Sequence, residues 1–192
     1  MRRFLDGLYR LSLGAAALCL LLILLVVLIQ VVFNLVDRAM QWGGAQPLGL
    51  LIPSYAEISG YLLAAASFLA LAGSFRQAAH IRVTLFLGRF AAPLRQAVEA
   101  TLLGLALAVT LYLAFFLGRL TWQSISYGDL SPGLLPIPLW LPQSVMCLGV
   151  AILAVAILDD WLEALRGRKP AYRVAEERAE AAFLGEGAGG EP

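Results

Sequence analysis

Seven residues in this chain could do chemistry against an otherwise apolar background: Glu57, His80, Cys19, Cys147 and the acidic run Asp159, Asp160 and Glu163. A carboxylate inside a membrane helix can carry a proton or hold a cation, so an ionisable residue there is a functional candidate by default. Glu57 also has a simpler use. In Pro53-Ser54-Tyr55-Ala56-Glu57 it stands three residues after Ser54, the spacing of a capping box with Ser54 as N-cap, and its charge suits the positive end of the helix dipole. Capping ranks first for this pair, a partner contact second, and proton or cation chemistry last.

His80 is the single histidine. A bis-histidine haem needs two, and a zinc site needs several converging ligands, so neither can be assembled. His80 reads as a polar residue capping the inner end of a helix. Cys19 and Cys147 each fall near the middle of an apolar run, where thiols behave as small apolar side chains. Asp159, Asp160 and Glu163 have no metal-site spacing and read as the polar end of the last span, offset by Arg166, Arg168 and Lys169. No Ser/His/Asp set, phosphate-binding glycine loop or paired intramembrane carboxylate is present. The chain is expected to have no catalytic, cofactor or metal residue of its own.

The elements that must carry these residues follow from composition. Of 192 residues 60% are hydrophobic and 14% charged, against about 25% charged in soluble domains, and the mean hydropathy is +0.80. A soluble enzyme and a disordered chain are excluded. With a net charge of +1 there is no basic field for nucleic acid. Four intervals, uncharged but for Glu57 at the start of the second, are long enough to cross about 30 Å of hydrocarbon at 1.5 Å per residue: residues 11–36, and about 55–75, 100–118 and 139–158. The first could reach about 39 Å as a helix, so it must tilt or protrude. It is too long for a signal-peptide core and reads as a retained helix.

Twelve of the fourteen basic residues fall before the first span, between the second and third, or after the fourth; only Arg38 and Arg119 fall on the other side. The positive-inside rule then places both termini and the middle loop in the cytoplasm. Trp42, Tyr55, Trp122, Tyr127 and Trp140 mark the outer ends of the spans, and Tyr9 and Trp161 the inner ends. Gln30, Asn34, Ser67, Thr101, Thr110, Gly60 and Ala64 to Ala66 read as helix-packing positions.

Between the second and third spans, Ala79, Val83, Phe86, Leu87, Phe90 and Leu94 share one helical face, flanked by Arg82 and Arg89. A short interfacial helix at about 79–92 satisfies this pattern, with Arg76, Arg82 and Arg89 reaching headgroups while Phe86 and Phe90 are buried. Trp140 anchors the opposite surface. The proline-rich segment 126–142 cannot be a regular helix and is expected to be an extended or turn-rich loop leading into the fourth span. The expected architecture is all-α and integral to the membrane: four transmembrane helices plus the interfacial helix in one domain, residues 1–170, followed by a partly disordered cytoplasmic tail, 171–192.

Ser54-Tyr55-Ala56-Glu57, a Leu- and Ala-rich helix, and then Arg76-Gln77-Ala78-Ala79-His80-Ile81-Arg82-Val83 resemble the small membrane subunit (DctQ-type) of tripartite ATP-independent periplasmic (TRAP) transporters. Leu135-Pro136-Ile137-Pro138-Leu139-Trp140 with Pro142 resembles the approach to the fourth helix in that family. Thr84 stands where the family often has Asp, and Tyr55 with the lone Glu57 where it often has Trp and two acidic residues. The resemblance covers roughly Arg10 to Glu163. It implies a secondary transporter of the bacterial inner membrane that imports organic acids with sodium. Its partners would be a large many-helix transport subunit, which holds the substrate and sodium sites, an extracytoplasmic substrate-binding protein, and the lipid bilayer. This chain would be the accessory scaffold that braces the large subunit and helps dock the binding protein. The competing classes are a membrane anchor of a respiratory complex, which the lone histidine opposes, and a small integral-membrane enzyme, which would need clustered ionisable residues.

Overall fold

The computed structural model describes residues 2–44, 46–76 and 92–166. They form four helices: α1 (Arg2–Trp42), α2 (Tyr55–Arg76), α3 (Ala92–Tyr127) and α4 (Trp140–Leu165). All four are long and apolar enough to cross a membrane. The all-α membrane architecture expected from these four apolar intervals is therefore present, with each helix extending beyond its interval at one or both ends. The expected interfacial helix and the tail lie outside the described residues.

α2 packs against α1 and α4, and α4 packs against α2 and α3. The two central helices approach most closely at Gly149, where an added Cβ would stand 2.6 Å from both the carbonyl carbon and the oxygen of Phe68. Without a side chain at that point the backbones can touch, as small residues allow in apolar solvent. Ala65, Ala66 and Ala72 of α2 and Val150, Ala154 and Ala156 of α4 continue the contact as buried residues. On the other side of α2, the Ser12 hydroxyl of α1 donates to the Leu69 carbonyl at 2.6 Å, and Gly73 lies under the Leu13 side chain. α3 is fastened to α4 by Trp161, whose indole N–H donates to the Ala100 carbonyl at 3.0 Å over Gly104. Gln96 adds a bond to the Ala164 carbonyl at 3.1 Å.

Two of the aromatic residues expected at the inner headgroup level serve the interior instead. Tyr9 is 4% exposed and clusters with Ala72, Ile152 and Ala156, and Trp161 packs against the cluster of Leu103, Leu107, Ile157 and Ala164. Packing and an internal hydrogen bond explain both positions. The aromatics expected at the other surface are exposed, Trp42 at 84%.

The two connections that link helices at the far end of the bundle are built differently. Gly44, at φ +75°, ends α1 as a left-handed C-terminal residue can, and the chain turns back along the helix it has just left. The Leu48 N–H donates to Asp37 Oδ1 at 3.0 Å and the Ile52 N–H to Gln30 Oε1 at 2.9 Å. Gln30 is thus a buried loop anchor rather than a helix-packing residue. Its side-chain amide also donates to Asn34 Oδ1. α1 continues about 18 Å past Gln30 at 1.5 Å per residue. Gly128, at φ +67°, ends α3 in the same way. The chain then makes a tight return closed by an isolated antiparallel bridge between Leu130 and Pro138, with N–H···O bonds from Ser131 to Ile137 and from Leu139 to Asp129. The Ser131 hydroxyl fills the return, donating to the Leu135 carbonyl and accepting the Ile137 N–H. The proline-rich segment is the turn-rich loop its sequence predicts, and Pro142 enters α4 in the first turn, where its missing N–H costs no helical bond.

Candidate functional site

Ser54 and Glu57 meet the α3–α4 return rather than each other. Ser54 precedes α2 with a left-handed backbone, φ +55°, and its hydroxyl accepts the Leu135 N–H at 3.1 Å. Glu57 Oε1 accepts the Tyr61 hydroxyl at 2.9 Å, one turn along α2, while Oε2 is buried with no hydrogen-bond partner. The carboxylate lies against Gly133, so closely that a Cβ there would overlap it. The expected capping box is therefore not formed: the Glu57 carboxylate does not reach back to the Ser54 N–H, because the return loop competes for both side chains and offers an N–H to one and a glycine surface to the other. Ser59 Oγ and Gln143 Oε1, also near the starts of α2 and α4, are buried without partners. Leaving such an atom unmatched costs about 1–3 kcal/mol, so this end of the bundle holds polar groups not satisfied within the chain.

A second polar group lies at the opposite end. Asp160, fully buried, and Glu163 of α4 face into the bundle together with Glu99 of α3, and each of the three is engaged in an interaction. The sequence marks Asp160 and Glu163 as the polar end of the fourth span, and the structure places both on the buried side of that end. With Ala156, Ile157 and Ala164 they share the buried face of α4, at helical spacing that continues the core. Only Asp159 of the acidic run lies outside the buried set. Among the described residues no three His, Cys, Asp or Glu side chains could hold a metal ion. Cys19 and Cys147 are free and half-buried, and the Cys147 thiol lies 4.0 Å from the Ala114 carbonyl between α4 and α3.

The structure thus brings Ser54 and Glu57 to one junction, together with Tyr61, Ser131, Gly133 and Leu135, none of which the sequence singled out as site residues. The signal available was the coincidence of Gly133 with a proline-rich stretch, a sign of close backbone approach. Trp140 opens α4 near this surface and is 38% exposed. Arg76 ends α2. Its side chain, and His80, Arg82, Phe86, Arg89 and Phe90, lie outside the described residues.

A chain whose helices bury their small-residue faces on one another and turn Leu, Val and Phe outward is a multi-pass membrane protein. A family model described as "Tripartite ATP-independent periplasmic transporters, DctQ component" matches residues 48–167. The chain belongs to that family and is a component of a TRAP transporter. No curated protein and no solved structure matches it.

Proposed function

We propose that this chain is the accessory scaffold of a TRAP transporter that imports organic acids with sodium, and that it braces the large transport subunit in the inner membrane. Membership in the family is the observation that carries the proposal. The distribution of exposed surface supports it. α2 and α4 satisfy each other, while α1 and α3 present broad apolar faces, including Leu24, Leu35, Val109 and Phe115, that require lipid or an apolar partner. Substrate and sodium sites are assigned to the large subunit, and docking of an extracytoplasmic binding protein to the complex. Both termini are placed in the cytoplasm by the distribution of arginines, with the Ser54–Glu57 junction on the opposite, extracytoplasmic side. Ser54 and Glu57 act there as loop-docking residues, and His80 and the arginines with Phe86 and Phe90 seat the segment between α2 and α3 at the membrane surface.

The test is to tag the chain after residue 192, extract it from its native membrane in mild detergent and identify what copurifies. A many-helix subunit in equal amount, and loss of organic-acid uptake when this chain is deleted, are the expected results. Stable purification without such a partner, together with undiminished uptake in the deletion strain, would refute the proposal. A bis-histidine haem spectrum in the preparation would point instead to a respiratory anchor.

A further inference from the structure

We propose that the exposed face of α3 between Tyr112 and Trp122 is a phospholipid site. The Arg119 guanidinium holds the headgroup phosphate of an anionic lipid, and the rings of Tyr112, Phe115 and Phe116 receive its acyl chains. The site belongs to this chain alone and does not depend on the accessory-subunit reading.

Arg119 is the one charged residue between Glu99 and Asp129, and it is exposed. α3 packs against α4, whose sequence from Trp140 to Leu158 has no acidic residue. On its own helix Glu99 stands about 30 Å away, and Asp129 is ten residues on in the other direction, about 15 Å at helical rise. Among the described residues no carboxylate pairs with Arg119. A charged side chain in apolar surroundings finds a counter-charge or water, and the elements at this height supply no counter-charge.

The height of Arg119 follows from α4. Cys147 Sγ lies 4.0 Å from the Ala114 carbonyl oxygen and 3.8 Å from the position of a Cβ on Gly118, so Cys147 is level with residues 114–118. Toward the Tyr127 end of α3, Trp140 stands about 10 Å beyond that level on α4 and Trp122 about 9 Å beyond it on α3. Two exposed indoles on neighbouring helices at one height mark a headgroup level. The Cα of Arg119 lies about 5 Å inside it, a depth from which an arginine carries its charge to the headgroups while its stem stays among apolar groups.

At 3.6 residues per turn Tyr112, Phe115, Phe116, Arg119 and Trp122 fall within an arc of about 120°. Tyr112 is 67% exposed, Phe115 66% and Trp122 71%. The rings are not independent: Tyr112 and Phe116 have centroids 4.6 Å apart, and Phe115 meets Phe116 edge-on at 5.5 Å. They form a packed apolar floor on the membrane side of Arg119. Along α3 the order is therefore rings, cation, indole N–H. A phospholipid presents the matching order, acyl chains and then phosphate. A guanidinium can bind a phosphate through two N–H groups, and the Trp122 N–H, one turn beyond, is a further donor. A protein partner would have to bring a carboxylate to this height, where lipid phosphates already stand. In a zwitterionic lipid the headgroup amine competes for the phosphate, so a net negative headgroup suits the unmatched charge of Arg119 better.

The test adds phosphatidylglycerol or phosphatidylcholine to the tagged full-length chain, extracted in mild detergent with whatever accompanies it, and reads bound lipid by native mass spectrometry. Phosphatidylglycerol is expected to bind roughly tenfold more tightly, and R119Q is expected to abolish the difference. R38Q, which removes the other arginine exposed near that end of the bundle, is expected to preserve it. Unchanged preference in R119Q would overturn the proposal, and so would an equal loss in R38Q, which would show diffuse attraction to positive charge. A photo-activatable amino acid at position 122 of the otherwise unaltered chain, irradiated in native membranes, tests the occupant with Arg119 in place. The expected adduct has the added mass of a phospholipid. An adduct with a protein, whether another subunit or a second copy of this chain, would overturn the lipid site and leave the accessory-subunit reading intact.

Discussion

Gly133 lies so close to the Glu57 carboxylate that a methyl group at position 133 would occupy the carboxylate's place. The α3–α4 return is held to α2 at this point, with Ser54 bonding Leu135 beside it. G133A is therefore expected to push the return off α2 and to lower stability by about 1–3 kcal/mol, the usual range for overpacking. Shortening the opposing side chain should relieve it: E57A/G133A is expected to recover at least half of the loss, a coupling visible in a double-mutant cycle. Thermal unfolding of the four proteins in one detergent measures it. Additive losses would show that Gly133 and Glu57 do not oppose each other.

At the centre of the bundle the obstacle is backbone. Gly149 faces Phe68 with 2.6 Å available for a Cβ, and a main-chain carbonyl cannot swing aside as a side chain can. G149V should separate α2 from α4 and cost more than about 3 kcal/mol, beyond ordinary overpacking, seen as loss of a monodisperse peak in detergent chromatography. Gly60, also in α2, has nothing within 4 Å of its Cβ position. G60A should leave the peak unchanged or raise stability by up to about 1 kcal/mol, the helix-propensity difference.

Ser12 supplies the short polar bond between α1 and α2, 2.6 Å to the Leu69 carbonyl, and is itself buried. S12A should cost about 0.6–1.7 kcal/mol, the range of interhelical hydrogen bonds in membranes. S67A should cost close to nothing, since the exposed Ser67 hydroxyl bonds only the Leu63 carbonyl of its own helix. Equal losses from the two substitutions in a denaturation series would contradict the assigned α1–α2 contact.

The architecture could be read from sequence because the bilayer imposes it: apolar intervals of membrane length, with Glu57 their single charge, leave few alternatives to a helix. The proline-rich return was legible for a similar reason, since proline forbids a regular helix there. Apolar periodicity did not say which helix faces meet, because Leu facing lipid and Leu facing a helix look alike. Ser12 and Gly149 could not be separated from Ser67 and Gly60 for that reason. For Asp160 and Glu163 the sequence marked a polar helix end and did not say which side of it they occupy, and the fold places both on the buried face of α4. Ser54 and Glu57 carried a local capping pattern that a contact eighty residues away displaced, and local spacing holds no record of such a competitor.

Gln30 gives the clearest test of how the first connection is held. Its carbonyl oxygen is the acceptor for the Ile52 N–H at 2.9 Å, and its amide group donates to Asn34, so the side chain both anchors the descending chain and is itself oriented. Q30M keeps the length of the side chain and removes the acceptor, leaving the Ile52 N–H without its partner at a cost of about 1–3 kcal/mol. Because the Asp37–Leu48 bond is independent of Gln30, the upper part of the descending chain should stay attached while the lower part loosens. Hydrogen exchange resolved by mass spectrometry should therefore show roughly tenfold faster exchange at Ile52, an opening free energy lowered by about 1.4 kcal/mol, with Leu48 unchanged. D37N should leave Ile52 protected and affect Leu48 alone, whereas acceleration at both positions in either variant would mean that the two bonds form one cooperative clasp.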